Sequence, residues 1–344
     1  MPQVIALGDV NVDIIAHFGE YPAKGDDALA SSTEIHCGGS AANTAISLAR
    51  MGISTSLIAR VGPDSWALKV FGCLEEAGVL PSGLQRDTAV MTGLMYVVVT
   101  PDGERTILGY RGANIFTDPN QVPEEDFRGA RLFHLSGYAL LADPQRSAAL
   151  RALEAACRYD LKITLDPGMA VPQEALDEMR ALLPVVDLLL PSLAEAQQLT
   201  GMDDPRACAR ALLHAGVGAV ALKLGQEGSL VTTRAGSWWV PGFVVEARDS
   251  TGAGDNFDAG LIAGFLGGLS WYGAAMLGNA MGAMAAACVG AGTAVPGAKE
   301  VLHLLSKDRP GPGRHDLDGG AEQVIDFVAG LATQPGREGK PWWK

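Results

Sequence analysis

The chain has 344 residues, of which 48% are hydrophobic and 19% charged, and its formal net charge is −13. This length and composition indicate a folded protein with a large apolar core rather than a disordered or fibrous chain. The excess of acidic residues disfavours nucleic acid and anionic membrane surfaces as partners.

The cysteines, the first residues and the longest apolar stretch indicate the cellular compartment of the protein. Five scattered cysteines form no C-x-x-C pair, which argues against a disulfide framework or a zinc site. The first residues lack the basic segment of a signal peptide. The longest uncharged stretch, about residues 273–293, is rich in Gly and Ala and contains Asn279, which favours a buried helix over a membrane span. We therefore expect a cytoplasmic protein.

Strand and helix patterns alternate along most of the chain. Short apolar runs bounded by Gly, Pro or Asp predict strands at residues 4–7, 56–61, 95–100, 132–135, 163–165, 188–190 and 220–224. Apolar residues spaced about 3.6 apart predict helices at residues 41–51, 65–77, 145–159, 173–183, 193–200 and 206–215. Such alternation is typical of a mostly parallel sheet covered by helices on both faces, an α/β fold.

Three regions depart from this alternation. Residues of about 12–40 and 88–114 hold short alternating segments and turns, which predict a small antiparallel sheet serving as a lid; the alternative is a pair of insertions without function. Residues 306–344 form a C-terminal extension with a Pro/Gly-rich linker, a short amphipathic piece near 322–331 and a loose tail.

The most informative segment is Asp249-Ser-Thr-Gly-Ala-Gly-Asp255, followed by apolar residues at helical spacing. Small residues at 252–254 allow backbone N–H groups to point into one concavity at the start of a helix, where an anion is favoured. Asp255 lies at the mouth of that concavity and is either a helix-stabilising acid or a base. An anion cradle with a base beside it is what phosphoryl transfer to an alcohol requires.

This segment resembles the second signature of the ribokinase-like, or PfkB, family of carbohydrate and nucleoside kinases. Residues 37–52 resemble the first signature, in which the turn Gly38-Gly39 leads into a helix that carries Asn43. The two motifs occur in the expected order, about 210 residues apart, and the resemblance covers about residues 3–300. It implies a three-layer α/β/α domain at residues 1–305 with a small β-sheet lid.

The resemblance also implies roles for individual residues. Asp255 would be the catalytic base that takes the proton from the substrate hydroxyl. The anion hole would comprise Gly252, Ala253 and Gly254. Substrate would be bound by Asn11, Asp13, Gly38, Gly39 and Asn43, although Asn11 and Asp13 could simply form a turn after the first strand. Carboxylate and amide groups suit polyols because they share several hydroxyls through directional hydrogen bonds.

The cofactors follow from the same resemblance. ATP would be bound near Lys223, Gly225, Thr251, Gly254 and Asn279. Mg²⁺ would be held through water by Glu195, although Ser192 stands where the family usually has Asn. The alternative for Glu195 is a first-turn acid in an exposed helix.

A monovalent cation, K⁺, is implied in addition. Its matching residues are Asp249 and Thr251, with a second half near Gly292.

The substrate remains open between several classes. Arg111 is either a contact for a carboxylate or ring oxygen, or a solvated lid charge. The function expected is ATP-dependent phosphorylation of a hydroxyl on a sugar or sugar-like molecule.

Two alternatives to a sugar kinase remain. They are a nucleoside kinase, which would need an aromatic clamp near the lid, and a non-catalytic binding protein of the same fold. Acids follow the first strand where a Rossmann dehydrogenase requires glycines, which disfavours that class. A homodimer through the lid is also expected.

Overall fold

A computed structural model describes residues 1–102, 104–168, 173–288, 296–307 and 320–333 of the chain. The strands are β1 Val4–Leu7, β2 Asn11–His17, β3 Ser32–Gly38, β4 Thr55–Val61, β5 Leu84–Arg86, β6 Gly93–Val99, β7 Arg105–Tyr110, β8 Leu132–Ser136, β9 Lys162–Asp166, β10 Leu188–Leu189, β11 Ala219–Lys223, β12 Ser229–Thr233 and β13 Ser237–Val240. The helices are α1 Ser40–Arg50, α2 Ser65–Ala77, α3 Glu124–Phe127, α4 Gln145–Arg158, α5 Gln173–Leu182, α6 Leu193–Thr200, α7 Pro205–His214, α8 Ala253–Leu266, α9 Trp271–Ala286, α10 Ala298–Lys307 and α11 Gly320–Ala332.

The large sheet has the strand order β13-β12-β11-β10-β9-β8-β1-β4-β5. The strands from β11 to β5 pair in parallel, whereas β11–β12 and β12–β13 pair antiparallel. The mostly parallel sheet is therefore confirmed. The edge hairpin of β12 and β13 was not predicted, because Ser and Thr residues interrupt its apolar runs. Its turn is closed by a hydrogen bond from the N–H of Thr233 to the carbonyl of Gly236.

The side chains of β1 point alternately to the two faces of the large sheet, and helices cover each face. Ile5 and Leu7 belong to a core cluster completed by α4, α5, α6 and α7, and Val4 and Ala6 face the helices on the opposite side of the sheet. All four residues are fully buried. A strand covered on both faces must be apolar on both faces, which explains the uninterrupted apolar run at residues 4–7. The predicted α/β/α arrangement is confirmed.

A second, smaller sheet has the order β3-β2-β6-β7. Its strands lie within the two segments predicted to form a lid. β2 pairs antiparallel with β3 but parallel with β6, so the sheet is mixed rather than purely antiparallel. Because β2 begins at Asn11, shortly after β1 ends, the chain passes directly from the large sheet into the small one.

Helix α11 forms where the amphipathic piece near residues 322–331 was predicted. Val324 and Val328 are fully buried in the cluster formed by α8, α9 and α10. The linker 308–319 and the tail 334–344 lie outside the described residues. Among the helices that the structure describes, none has the length and apolar character needed to cross a bilayer.

Candidate active site

The two signature segments meet at Asp255, in the first turn of α8. The side-chain amide of Asn43 donates to the Asp255 carboxylate, with an Nδ2–Oδ2 distance of 2.7 Å. The hydroxyl of Thr44 donates to the Asp255 carbonyl at 3.3 Å, and that of Ser47 donates to the Asn256 side chain at 2.9 Å. One face of α1 therefore orients the carboxylate and fixes the N-terminus of α8, across more than 200 residues of sequence.

The N-terminus of α8 has the features of an anion site. Gly252 caps the helix with φ 73°, a left-handed conformation that favours glycine, and makes no side-chain cap. The N–H of Ala253 donates to the Ser250 carbonyl at 3.2 Å, whereas the N–H groups of Gly252 and Gly254 have no acceptor among the described residues. Two of the three predicted donors are thus available, and the third is already bonded within the turn.

The diglycine turn makes room for Asp13. A Cβ atom on Gly38 would lie 2.0 Å from Oδ2 of Asp13, and one on Gly39 would lie 2.4 Å from the carbonyl oxygen of Asp9. Gly39 also has φ 99°, so a side chain there would be strained as well as obstructed. Gly38 therefore makes room for the Asp13 carboxylate and Gly39 for the Asp9 backbone, and the role of both glycines in substrate binding stays a prediction.

Two acceptor oxygens in this region lack hydrogen-bond partners. Oδ1 of Asp13 and Oδ1 of Asn43 are buried and have no partner in the described part of the chain. Leaving a buried polar group unsatisfied costs about 1–3 kcal/mol, so both oxygens favour a ligand that supplies donors. Hydroxyl groups are such donors.

Asn11 is oriented by a residue that the sequence analysis did not single out. Nδ2 of Asn114 donates to Oδ1 of Asn11 at 2.8 Å. The same Asn114 side chain bonds the N–H and the carbonyl of Val10, at 2.9 and 3.0 Å. Asn114 is fully buried, and it ties the second lid segment to the start of β2.

The carboxyls of this site have altered acidities. Burial, together with the nearby Asp255 and Asp249 charges, raises the pKa of Asp13 to about 7. Burial and the Asp166 charge raise the pKa of Asp255 to about 6, although the hydrogen bond from Asn43 opposes this rise. A base with a pKa near the working pH combines a substantial ionised fraction with adequate basicity.

These acidities predict the pH dependence of catalysis. If Asp255 is the base, it must be ionised to accept a proton, and ionisation of Asp13 makes both of its carboxylate oxygens acceptors for hydroxyl donors, so kcat/KM should fall as the pH decreases from about 7 to below about 6. Asn43→Leu removes a hydrogen bond that favours the ionised form of Asp255. It should therefore move the acidic limb of the kcat/KM profile to higher pH. A wild-type limb that begins only below about pH 5 would contradict this assignment.

A largely buried lysine, Lys223, lies beside the N-terminus of α8, and its side chain is 14% exposed. Nζ of Lys223 is 3.2 Å from carboxylate oxygens of both Asp166 and Asp258. Burial alone would lower the pKa of Lys223, but the Asp166 and Asp258 charges raise it above its ordinary value. A Cβ on Gly254 would lie 3.6 Å from this ammonium group. Lys223, predicted to lie against the nucleotide, is thus a positive charge next to the N-terminus of α8 and near Asp255.

Glu195 is a first-turn acid of α6, as the alternative held, but it is buried rather than exposed. Its carboxylate accepts from the N–H of Ser192 at 2.8 Å, and the Ser192 hydroxyl accepts from the N–H of Glu195 at 3.3 Å. This capping box begins α6. Burial and the Asp166 charge raise the pKa of Glu195. The carboxylate therefore lies near the charges of Asp166 and Lys223, a position that fits the predicted contact with a metal-bound water.

An apolar cavity of about 470 Å³ adjoins the anion site. Residues that line it are Lys223, Gly225, Phe243, Val244, Gly254, Asn279 and Ala283. Nδ2 of Asn279 donates to the carbonyls of Val240 and Pro241, at 3.0 and 3.1 Å, so this amide supports the cavity wall. The structure thus brings together most of the residues predicted to bind nucleotide.

Arg111 is held by an ion pair that is largely shielded from water, with its side chain 18% exposed and that of Asp9 6% exposed. Its guanidinium donates to both carboxylate oxygens of Asp9 at 2.8 Å and to the Tyr138 carbonyl at 2.8 Å. Gln145 bonds both members of the pair. The solvated lid charge considered for Arg111 was therefore wrong. A substrate contact by Arg111 stays a prediction, but Asp9 already binds two of its guanidinium nitrogens.

The side chains of the two residues predicted at the monovalent cation site, Asp249 and Thr251, contact an arginine. Arg105, at the start of β7, bonds the Asp249 carboxylate at 2.6 Å and also contacts the hydroxyl of Thr251. The other half of the predicted K⁺ site, near Gly292, lies outside the described residues. The K⁺ site therefore stays a prediction. Arg105, Asp166 and Asp258 were not singled out from the sequence, although Arg105 lies in the same lid segment as Arg111.

The site lies at the carboxyl end of the parallel strands and combines a glycine-capped helix N-terminus with a carboxylate and an apolar cavity. This combination is typical of phosphotransferases that act on small hydroxyl compounds. The profile of the pfkB family of carbohydrate kinases matches residues 1–298. The chain belongs to this family and is a sugar kinase.

Named relatives agree with this membership. An ATP-dependent ribose-1-phosphate kinase of Halopiger xanaduensis is 33% identical over 312 residues, covering 89% of this chain and 99% of the relative. The probable chloroplastic fructokinase-6 of Arabidopsis thaliana is 28% identical over 320 residues, covering 88% of this chain and 82% of the relative.

Solved structures share the fold. A putative ribokinase II from E. coli has a TM-score of 0.82 at 23% identity, covering 90% of this chain and 100% of that chain. An ATP-bound fructokinase from Xylella fastidiosa has a TM-score of 0.78 at 23% identity, covering 89% of this chain and 99% of that chain. The predicted ribokinase-like fold and kinase class are confirmed.

Proposed function

We propose that the protein transfers the γ-phosphoryl group of ATP to a hydroxyl of a sugar, with Asp255 as the catalytic base. The observation that carries this proposal is the pairing of the Asp255 carboxylate with Asn43 beside the unpartnered oxygens of Asp13 and Asn43. Acceptor oxygens and an ionisable carboxylate at one place suit a ligand that presents several hydroxyls, one of which is to lose its proton.

In the proposed mechanism, Asp13 and Asn43 accept hydrogen bonds from sugar hydroxyls and so place one hydroxyl against Asp255. Asp255 accepts the proton of that hydroxyl as its oxygen bonds to the γ-phosphorus of ATP, while the bond from this phosphorus to the β,γ-bridging oxygen breaks and ADP leaves. The N–H groups of Gly252 and Gly254 would stabilise negative charge on the transferring group, aided by the Lys223 charge beside Gly254. The N–H of Ala253 would join them only by exchanging its bond to Ser250.

The apolar cavity beside Gly254 supports the proposed nucleotide site. Gly225, Asn279 and Ala283, which line the cavity, would contact the adenine, and Thr251, next to Gly252, would contact the phosphates. Glu195 would hold Mg²⁺ through water, and the ion would supply neutralising charge for the phosphate oxygens. The Xylella fructokinase structure has ATP bound, which agrees with this proposal.

The sugar class is favoured over the two alternatives. The relatives include fructokinases and a ribose-1-phosphate kinase. A non-catalytic binding protein would have no use for a carboxylate oriented at 2.7 Å by Asn43 with a pKa raised to about 6.

Measuring ADP release with fructose, ribose, ribose-1-phosphate, polyols and nucleosides tests the proposal. The assay would contain ATP and Mg²⁺, each with and without K⁺. We expect turnover with at least one sugar or sugar phosphate at a kcat/KM well above that with any nucleoside. A preference for a nucleoside would contradict the sugar assignment, and an absence of transfer to every compound would contradict the enzyme assignment.

We also propose that the outer face of the small sheet pairs with a second copy of the chain. Ile35, Ile14, Tyr96 and Leu108 lie side by side in register across the four strands, on the face opposite to Asp13. Ile35, Tyr96 and Leu108 are 42%, 47% and 54% exposed. A continuous apolar row of this kind favours association.

A charge placed in this row should separate the copies. Tyr96→Lys should shift the sedimentation coefficient from that of a dimer to that of a monomer, because an unpaired ammonium would be buried at the interface. Leu150→Glu, at an exposed apolar position of α4, is the matched control and should leave the coefficient unchanged. A wild-type monomer at micromolar concentration would contradict the proposal.

A further inference from the structure

Arg105 joins the small sheet to the loop that precedes the anion site. It is the first residue of β7, the edge strand of that sheet, where it pairs with Val99. Its guanidinium bonds the Asp249 carboxylate at 2.6 Å and contacts the hydroxyls of Ser250 and Thr251. One side chain thus contacts three consecutive residues that lie about 145 positions away in the sequence.

These three residues lead directly into Gly252, the cap of α8. The Asp249 carboxylate that binds Arg105 also accepts from the N–H of Thr251 at 2.9 Å, which closes a local turn. The N–H groups of Arg248 and Asp249 donate to the Ala286 carbonyl of α9. α9 therefore fixes the start of the loop through the backbone, while Arg105 fixes its side chains.

The chemistry of the contact suits a positioning role. A planar guanidinium presents several donors in a fixed geometry, so it restrains the relative orientation of a carboxylate and two hydroxyls more strongly than an ammonium group. The Asp249 side chain is only 9% exposed and that of Arg105 is 27% exposed, so the ion pair is partly shielded from water. Arg105 also offsets the Asp249 charge, which would otherwise oppose a phosphoryl group at the neighbouring N–H groups.

We propose that Arg105 is a positioning residue through which the small sheet, when it covers the cleft, orders the anion site. By holding residues 249–251, it fixes the direction of the N–H groups of Gly252 and Gly254. This inference rests on the proposed function and adds a coupling between the lid and the phosphoryl-transfer loop.

Steady-state kinetics of Arg105→Gln and Arg105→Lys test this coupling. Misplacing catalytic groups by about 1 Å costs about 10²-fold in rate, so Arg105→Gln should lower kcat by about that factor, with a smaller change in the sugar KM. Arg105→Lys should recover only part of the loss, because an ammonium cannot reproduce the planar contact. Arg234→Gln, at an exposed site in the turn between β12 and β13, is the matched control.

A double variant separates positioning from other roles. If Arg105 acts through the loop, Arg105→Gln combined with Asp249→Asn should lose little more kcat than Asp249→Asn alone. Losses that multiply, or an unchanged kcat in Arg105→Gln, would overturn the inference. So would a loss confined to KM for a phosphorylated sugar, which would make Arg105 a substrate ligand. Thermal unfolding would show that each variant is folded, and wild-type turnover of a sugar establishes the proposed function independently.

Discussion

Asp255→Asn should reduce kcat for sugar phosphorylation by about three orders of magnitude, within the range that general-base catalysis supplies. The amide keeps the size of the side chain and can still contact Asn43, but it cannot accept the proton of the substrate hydroxyl. Because Asp255 does not line the apolar cavity, the affinity for ATP should change little. Rapid-quench measurement of phosphorylated sugar, together with calorimetric titration of ATP, distinguishes the two effects.

Asp160→Asn provides the control for this substitution. Asp160 is exposed at the end of α4 and has φ 56°, a conformation that Asn also tolerates, so the same chemical change is made far from the cleft. Its kcat and ATP affinity should equal those of the wild type. If Asp255→Asn retained kcat within a few-fold of wild type, another group would have to be the base.

Lys223→Met should destabilise the fold by about 3–5 kcal/mol, the range measured when one partner of a buried ion pair is removed. The reason is Asp258, which is fully buried and has Lys223 as its ion-pair partner. Its pKa is raised by burial and held down by the lysine, so without Lys223 the buried carboxyl must either remain charged or take up a proton. Urea unfolding of the wild type and the variant measures the loss.

The pH dependence and a double variant identify the cause of this loss. Because the folded-state pKa of Asp258 lies above that of the unfolded chain, the cost of its charge is present at high pH and disappears as the pH falls. The destabilisation should therefore be smaller at about pH 5 than at about pH 8. Lys223→Met combined with Asp258→Leu should recover part of the stability. A pH-independent loss without recovery would point to packing instead of charge.

The sequence predicted the elements whose patterns are local. Residues 4–7, 65–77 and 193–200 were predicted with the boundaries that the structure shows for β1, α2 and α6. The reasons are visible in the structure: β1 is buried on both faces, α2 begins at the capping residue Asp64, and α6 begins at the Ser192 capping box. Signals of this kind lie within a few residues of one another, so they can be read without knowing the fold.

Contacts between distant segments could not be predicted in the same way. The partner of Arg111 is Asp9, that of Arg105 is Asp249, and Lys223 lies between Asp166 and Asp258. Each pair joins residues from different elements, and an isolated charged residue in a sequence gives no sign of its partner. The sequence consequently left Arg111 between two roles and did not single out Arg105.

The site itself was only partly predictable. The signature motifs gave Asn43, the glycines at 252–254 and Asp255, and the structure brings these together. The contact of Asn43 with Asp255, rather than with substrate alone, depends on how α1 packs against α8. Likewise, Gly38 is required because the register between β2 and β3 places the Asp13 carboxylate at the position of its missing side chain.

A crystal structure with the preferred sugar and a non-hydrolysable ATP analogue tests the central claim most directly. We predict one sugar hydroxyl within hydrogen-bond reach of an Asp255 carboxylate oxygen, about 2.6–3.2 Å, and the terminal phosphate at the N–H groups of Gly252 and Gly254. A terminal phosphate bound away from the start of α8, or a sugar with every hydroxyl out of reach of Asp255, would contradict it.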